Sequence, residues 1–301
     1  MRQLFSEYQE FIPDFDFFLE SLTRPLPNHL RVNGLKTSPA SLLAALSEKG
    51  LCLRPVGLGD NTFYEAPADL LPGKLLEYFL GYLHPQALTS CLASLVLDPR
   101  PHSLVLDLCA APGGKTSHLA QLMGNTGIIV ANELHLRRHA PLTHTLSRLG
   151  VVNAVLTAYA GQEFPLRERF DYIMADVPCT GEGRWRFSRG PSGTGGATHR
   201  GGLVEAQKKM ILRGFDLLKR EGIMLYSTCT YHPSENEGVV DFLLKRREAE
   251  LIPITAASGL EPGISGWGKE NYDAGVQRAA RFYPHRLDSV GFFMAKIRRR
   301  G

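Results

Sequence analysis

The sequence predicts an α/β fold, a mostly parallel sheet wrapped by helices over residues 78–301, preceded by a small α+β unit over 1–77. Three observations predict it. From Ser103 onward, short apolar strands alternate with amphipathic segments long enough to be helical crossovers, the pattern of a parallel sheet covered on both faces. The strand Leu104-Val105-Leu106-Asp107-Leu108 runs straight into a turn of small residues and glycines and then a helix. Residues before about 75 are different, with aromatic and leucine positions at helical spacing followed by short, proline-broken segments.

Taken in order, Tyr8 to Leu22 reads as a helix, stopped by Pro25 and Pro27. Leu30 to Asn33 alternates like a strand, Pro39 to Lys49 reads as a helix ending at Gly50, and Leu51 to Leu53 as a second strand. A helix is expected from His84 to Leu97, with Pro85 in its first turn. In the main unit the expected strands are 104–108, 127–133, 153–157, 172–176, 222–227 and 291–297. The expected helices are 116–123, 137–149, 204–218 and 235–247. Sheets of this kind bind ligands at the carboxyl ends of their strands.

The chain has 301 residues, 44% of them hydrophobic, enough to bury a full core. No apolar run is long enough to span a bilayer, and the acidic start lacks the form of a secretory signal. The five cysteines are odd in number and widely spaced, with no Cys-x-x-Cys pair. A disulfide framework and a cysteine zinc site are therefore disfavoured, and a reducing, cytoplasmic setting is expected. His84 and His118 have no metal-ligand spacing around them, so no metal is expected. The formal charge of +4 suits an RNA partner but is shared by many metabolic enzymes.

The turn after the first main strand is Cys109-Ala110-Ala111-Pro112-Gly113-Gly114-Lys115. Glycines let backbone approach a ligand, and the following helix presents unpaired N–H groups; the plain alternative is a tight turn with no ligand. Gly114-Lys115-Thr116 suggests a nucleoside-triphosphate loop, but the glycine required five positions earlier is Cys109, and Pro112 removes an N–H. The G-x-G-x-x-G pattern is absent as well. Glu133 ends the second strand, where an acid typically accepts from ribose hydroxyls. A nucleoside cofactor without phosphates fits, and S-adenosylmethionine is one.

Asp176-Val177-Pro178-Cys179-Thr180-Gly181-Glu182-Gly183 follows one strand and Tyr226-Ser227-Thr228-Cys229-Thr230 ends another. Both cysteines are thus expected at the sheet edge that carries the cofactor turn. Either alone reads as a small buried hydrophobe; two in polar turns at strand ends read as chemistry. Cytosine C5 is a poor nucleophile until a thiolate adds at C6, and that step needs a lowered thiol pKa or a nearby base. Asp176 and Lys115 are candidates to stabilise charge on the ring. Spacing leaves Cys179 and Cys229 exchangeable as the attacking thiol.

Together these motifs resemble the Nop/Sun family of RNA cytosine-C5 methyltransferases. The likeness runs from Leu30-Arg31-Val32-Asn33 through the cofactor turn, Ala131-Asn132-Glu133 with Arg138, both cysteine motifs and Pro233-Ser234-Glu235-Asn236-Glu237. It ends on Arg281, Pro284-His285 and Gly291-Phe292-Phe293. The resemblance implies a Rossmann-like class I methyltransferase domain behind an RNA-recognition-like unit. It places Cys109 to Lys115, Glu133, Arg138 and Asp176 at S-adenosylmethionine, makes Cys229 the nucleophile, and gives Cys179 a part in releasing the adduct. One departure stands out: Thr157-Ala158-Tyr159-Ala160-Gly161 has Ala160 where the family usually has an acid that reads the adenine amino group.

Arg184-Trp185-Arg186-Phe187-Ser188-Arg189 and the glycine-rich stretch to Gly202, with His199 and Arg200, suggest a lid that contacts RNA by charge and stacking. The plain alternative is a solvated loop. The expected partner is ribosomal or transfer RNA, with an unpaired or flipped-out cytosine, no membrane, and a monomeric protein. The rival readings are a non-catalytic RNA-binding assembly factor and, more distantly, a P-loop ATPase.

Overall fold

The computed structural model describes residues 2–58, 62–167, 169–186, 197–255 and 259–301. The expected helix over 8–22 is broken. Helix α1 (Arg2–Phe5) passes into a 3-10 turn, Ser6–Tyr8, and α2 (Phe15–Ser21) starts afresh. Pro13 has no N–H to continue a helix, and Asp14 sits at φ +48°, in the left-handed region. Phe5, Tyr8, Phe18 and Leu22 then pack on Trp185, Tyr231 and Tyr283 of the main unit, with Phe18 edge-on to Tyr231 at 5.3 Å.

Next come β1 (Asn28–Val32), α3 (Pro39–Ser47), β2 (Arg54–Pro55), β3 (Phe63–Ala66), α4 (Leu76–Phe79) and β4 (Leu83–Pro85). The four strands make an antiparallel sheet in the order β2-β3-β1-β4. Two expectations are corrected here. Leu51–Leu53 is not a strand; its neighbours Arg54 and Pro55 pair with β3 instead. His84 and Pro85 belong to β4, paired with Arg31 and Leu30, so the helix α5 is shorter, Leu88–Leu97.

The main sheet is built from β5 (Leu104–Asp107), β6 (Ile128–Asn132), β7 (Ala154–Thr157), β8 (Phe170–Asp176) and β9 (Leu218–Thr228), followed by β10 (Ala249–Ile252) and β11 (Leu260–Pro262). A short hairpin, β12 (Gly266–Trp267) with β13 (Glu270–Asn271), stands apart, and β14 (Ala280–Phe282) and β15 (Phe292–Arg299) rejoin the sheet. The helices are α6 (Gly114–Leu122), α7 (His139–Arg148), α8 (Ala197–Leu217) and α9 (Glu237–Leu244). The order is β11-β14-β15-β9-β8-β5-β6-β7, with β10 on β15. From β9 to β7 the strands are parallel; β15, β14, β11 and β10 add antiparallel pairs. This is the Rossmann-like architecture the sequence predicts. Period two is visible in the core: Leu106, Ile173, Met224 and Phe293 face one layer, and Val105, Met174, Leu225 and Met294 the other. The chain moves outward from β5 to β6 and β7, then returns to β8 on the other side of β5. That reversal opens a crevice between the carboxyl ends of β5 and β8, at Asp107 and Asp176.

Candidate active site

The turn after β5 needs its glycines. Gly113 adopts φ +102°, and a Cβ there would lie 3.1 Å from Leu142 Cδ1 and 3.2 Å from Thr145 Cβ. The turn is fastened by hydrogen bonds from Ala110 N to Asn132 O and from Gly113 N to Ala110 O, both 2.8 Å. Beside it is a cavity of about 160 Å³ lined by His84, Gln86, Asp107, Cys109, Lys115 and Asp176, among others. Larger clefts open elsewhere, one of about 770 Å³ between Phe11, Glu261 and Trp267, but neither thiol nor Asp107 lines it.

Asp107 is the residue that sequence reasoning quoted only as part of a strand. One carboxylate oxygen accepts from the Thr116 hydroxyl at 2.7 Å; the other is buried without a partner. Burial pushes its carboxyl up to about 6. An unmatched buried acceptor at a cavity wall fits a ligand carrying a donor, as the amino group of S-adenosylmethionine does. Burial also pushes His84 down to about 3, so it is neutral, and its Nδ1 accepts from Arg148 at 2.9 Å.

Glu133 and Arg138 come together behind this turn rather than in the cavity wall. A Glu133 oxygen pairs with Arg138 at 2.9 Å, and Arg138 also donates to Ala111 O at 2.7 Å. Asn132, given no role by its place in the Ala131-Asn132-Glu133 motif, is buried at the end of β6. Its amide donates to Leu108 O and Tyr159 O, and its oxygen accepts from Thr157 Oγ1 and Tyr159 N. It therefore ties together the ends of β5, β6 and β7. Ala160 follows directly, beside the exposed Tyr159.

Lys115 and Asp176 span the crevice, Nζ to Oδ2 at 2.8 Å. Burial opposes the Lys115 charge, but Asp176 outweighs it and keeps the ammonium above its ordinary range. Ser227 donates to the second Asp176 oxygen at 2.8 Å. Next to this pair, Cys179 Sγ and Cys229 Sγ are 3.4 Å apart. The hydrogen bond from the Cys179 thiol holds Cys229 below the usual thiol range against burial and Asp176, with help from Arg184 and Lys115. The same contact and burial push Cys179 well up, and Glu235 adds to that. Both cysteines thus meet at one edge with Lys115 and Asp176, as the sequence suggested.

The expected RNA lid is corrected in part. Trp185 and Arg186 are buried; Trp185 stacks edge-on to Phe5 at 5.6 Å, and Arg186 donates to Ser289 O at 2.6 Å. Residues 197–202 are the first turns of α8, not a glycine-rich loop. Positions 187–196 lie outside the described residues. Arg184 is exposed beside the thiols. Gly183 clamps the Cys229 turn: its N–H donates to Cys229 O, and its carbonyl accepts from Gly291 N, both at 2.9 Å. Among the described residues, no cluster of three His, Cys, Asp or Glu could hold a metal.

Comparison with known proteins gives a consistent picture. A profile of the family described as 16S rRNA methyltransferase RsmB/F matches residues 94–298. The chain is 36% identical over 304 residues to the tRNA (cytosine(49)-C(5))-methyltransferase of Pyrococcus abyssi, covering 99% of this chain and 96% of that one. It is also 36% identical over 290 residues to the human 28S rRNA (cytosine(4447)-C(5))-methyltransferase, covering 94% of this chain but 35% of the relative. The chain spans only 35% and 38% of the length of the human and mouse relatives. Among solved structures, a methyltransferase homologue from Pyrococcus horikoshii superposes with a TM-score of 0.87 at 31% identity, over 99% of this chain and 95% of that one.

Proposed function

The chain belongs to the 16S rRNA methyltransferase RsmB/F family, and we propose that it methylates C5 of a cytosine in structured RNA, ribosomal or transfer, using S-adenosylmethionine. The observation that carries this reading is the 3.4 Å pair of thiols beside the Lys115–Asp176 ion pair at the carboxyl edge of the sheet. Cys229, the thiol held in the more acidic state, adds to cytosine C6, and electron density moves onto the ring. Lys115 stabilises that charge, and Asp176 holds the ammonium in place through their 2.8 Å ion pair. The turn from Cys109 to Lys115 and Asp107, with Glu133 and Arg138 behind the turn, would hold the cofactor, which when bound would supply an electrophilic methyl group for C5. Cys179, kept protonated, then takes part in the closing steps: the C5 proton leaves, the Cys229–C6 bond breaks and the thiol is restored.

We assign residues 1–77 to an RNA-recognition-like unit and 78–301 to the catalytic domain; β4, Leu83–Pro85, crosses that line to complete the small sheet. A cytoplasmic setting keeps the facing thiols reduced, and the protein acts as a monomer. Adenine is recognised without an acid at position 160, through backbone or Tyr159. Ala160 is also the one feature that favours a non-catalytic RNA-binding role. Transfer of radiolabelled methyl groups to unmodified total RNA tests the proposal; tight RNA binding with no transfer would leave the assembly-factor reading standing. Bisulfite sequencing of ribosomal and transfer RNA from cells lacking the protein then names the cytosine.

A further inference from the structure

We propose that Arg200 is a positioning residue that sets the separation of Cys179 and Cys229, acting through two buried carboxylates rather than on RNA; the catalytic part of this inference rests on the methyltransferase reading above. Arg200 lies in the first turns of α8, where the sequence suggested an RNA contact, yet its side chain is turned inward and is 20% exposed. One guanidinium nitrogen is 2.7 Å from Glu182 Oε1, and another is 3.8 Å from Glu235 Oε1.

Each carboxylate grips the residue that follows one thiol. Glu235 accepts from the backbone N–H of Thr180 at 3.0 Å and from its hydroxyl at 2.7 Å. Gln207 secures the other side of Cys179, donating to Pro178 O at 2.8 Å and to Glu235 at 3.0 Å. Glu182 accepts from Thr230 Oγ1 at 3.1 Å and from the Tyr8 hydroxyl at 2.7 Å. The hydroxyls of Thr180 and Thr230 meet at 2.9 Å. The Cys179 turn therefore hangs from Glu235, the Cys229 turn from Glu182, and Arg200 spans the two. Without that cation, two buried carboxylates would face each other in a poorly solvated space, where they must separate or take up a proton. Either response shifts Thr180 relative to Thr230, and with them the thiols.

Thiol spacing can be read without any RNA. Phenylarsine oxide bridges two adjacent thiols: two S–H bonds and the arsenic–oxygen bond break, two As–S bonds form, and water leaves. The wild-type protein should bind it across Cys179 and Cys229, and Cys179→Ser should abolish that bridge. Arg200→Ala is expected to bind it about 100-fold more weakly, because the second thiol no longer closes the chelate. Its kcat for methyl transfer should fall by about 10- to 100-fold, with KM for RNA changed little. Arg200→Lys, which keeps the charge but not the fork, should recover part of both.

Wild-type arsenical affinity in Arg200→Ala overturns the proposal. So does an unchanged kcat with a raised KM for RNA, which would make Arg200 an RNA contact. Should Arg200→Ala fail to fold, the same readings on Arg200→Lys decide, with wild-type values overturning it. A wild-type protein that bridges the arsenical but methylates no RNA removes the methyltransferase reading and leaves the spacing claim to the arsenical measurement.

Discussion

Cys179 Sγ and Cys229 Sγ face each other across 3.4 Å, and the charges around the two sulfurs differ. At Cys229, Asp176 opposes the thiolate while Arg184 and Lys115 favour it; at Cys179, the Cys229 backbone N–H favours it while Glu235 opposes it. The gap is well above the length of a disulfide bond, about 2.05 Å, so the two sulfurs are not bonded to each other. The motifs alone left the two cysteines interchangeable. Their surroundings differ, and the adducts that single variants form decide which thiol attacks.

If Cys229 attacks and Cys179 assists release, then Cys179→Ala should accumulate a covalent protein–RNA adduct and Cys229→Ala should form none. Denaturing gels of each variant with substrate RNA and S-adenosylmethionine read this directly. The reverse pattern would swap the roles.

The acidity of Cys229 is separately measurable. Its alkylation by iodoacetamide, followed by mass spectrometry of the peptide, should titrate below the ordinary thiol value of about 8.5. In Cys179→Ala the midpoint should move up, because the donor that favours the thiolate is gone while Asp176 still opposes it. A midpoint that stays put would mean Lys115 and Arg184 do the work alone.

Much of the site was legible because its signals are local. A glycine that must take φ +102°, a strand running into it, and two cysteines in polar turns are all written within a few residues. The parts that were not legible depend on distant partners. β3 and β14 are short segments whose strand character comes from pairing with β1, β11 and β15, and sheet formation follows context more than propensity. Leu83-His84-Pro85 looked like a helix start because a proline is welcome there; it is instead the edge of the small sheet. The aromatic spacing over 8–22 masks the break at Pro13, which lies inside that span. Arg186 and Arg200 looked like surface cations, since nothing in a linear pattern reports that a carbonyl or a carboxylate awaits them inside.

Asp107 gives a pH-dependent prediction. Its folded pKa is raised, to about 6 from 3.8, so the folded state binds the extra proton and wild-type stability falls as pH rises through that range. Asp107→Asn keeps an acceptor for Thr116 and has no such loss. Relative to wild type, its unfolding free energy in urea should rise by about 1–2 kcal/mol between pH 5 and pH 8. A difference independent of pH would show that the carboxyl is not perturbed.

The clamp at Gly183 and Gly291 should tolerate no side chain. A Cβ on Gly291 would lie 2.2 Å from the Tyr231 ring, and one on Gly183 would lie 2.1 Å from Gly291 O. Tyr231 is buried and cannot swing away. Gly291→Ala should therefore cost about 3 kcal/mol or more in urea unfolding. Gly73→Ala, with open space around it, should stay within about 0.5 kcal/mol of wild type.

β15 threads between β9 and β14, although it follows both in the chain. During synthesis the ribosome delivers the five parallel strands first, and β9 must wait with an unpaired edge until residues 292–299 emerge. That edge carries Met224, Leu225 and Tyr226, an apolar run open to mispairing in the interval. Gly291, at the threshold of β15, is also what secures the Cys229 turn. A nascent chain stalled short of that point would carry both thiols yet lack the strand that registers them, so competence for chemistry should arrive late and all at once.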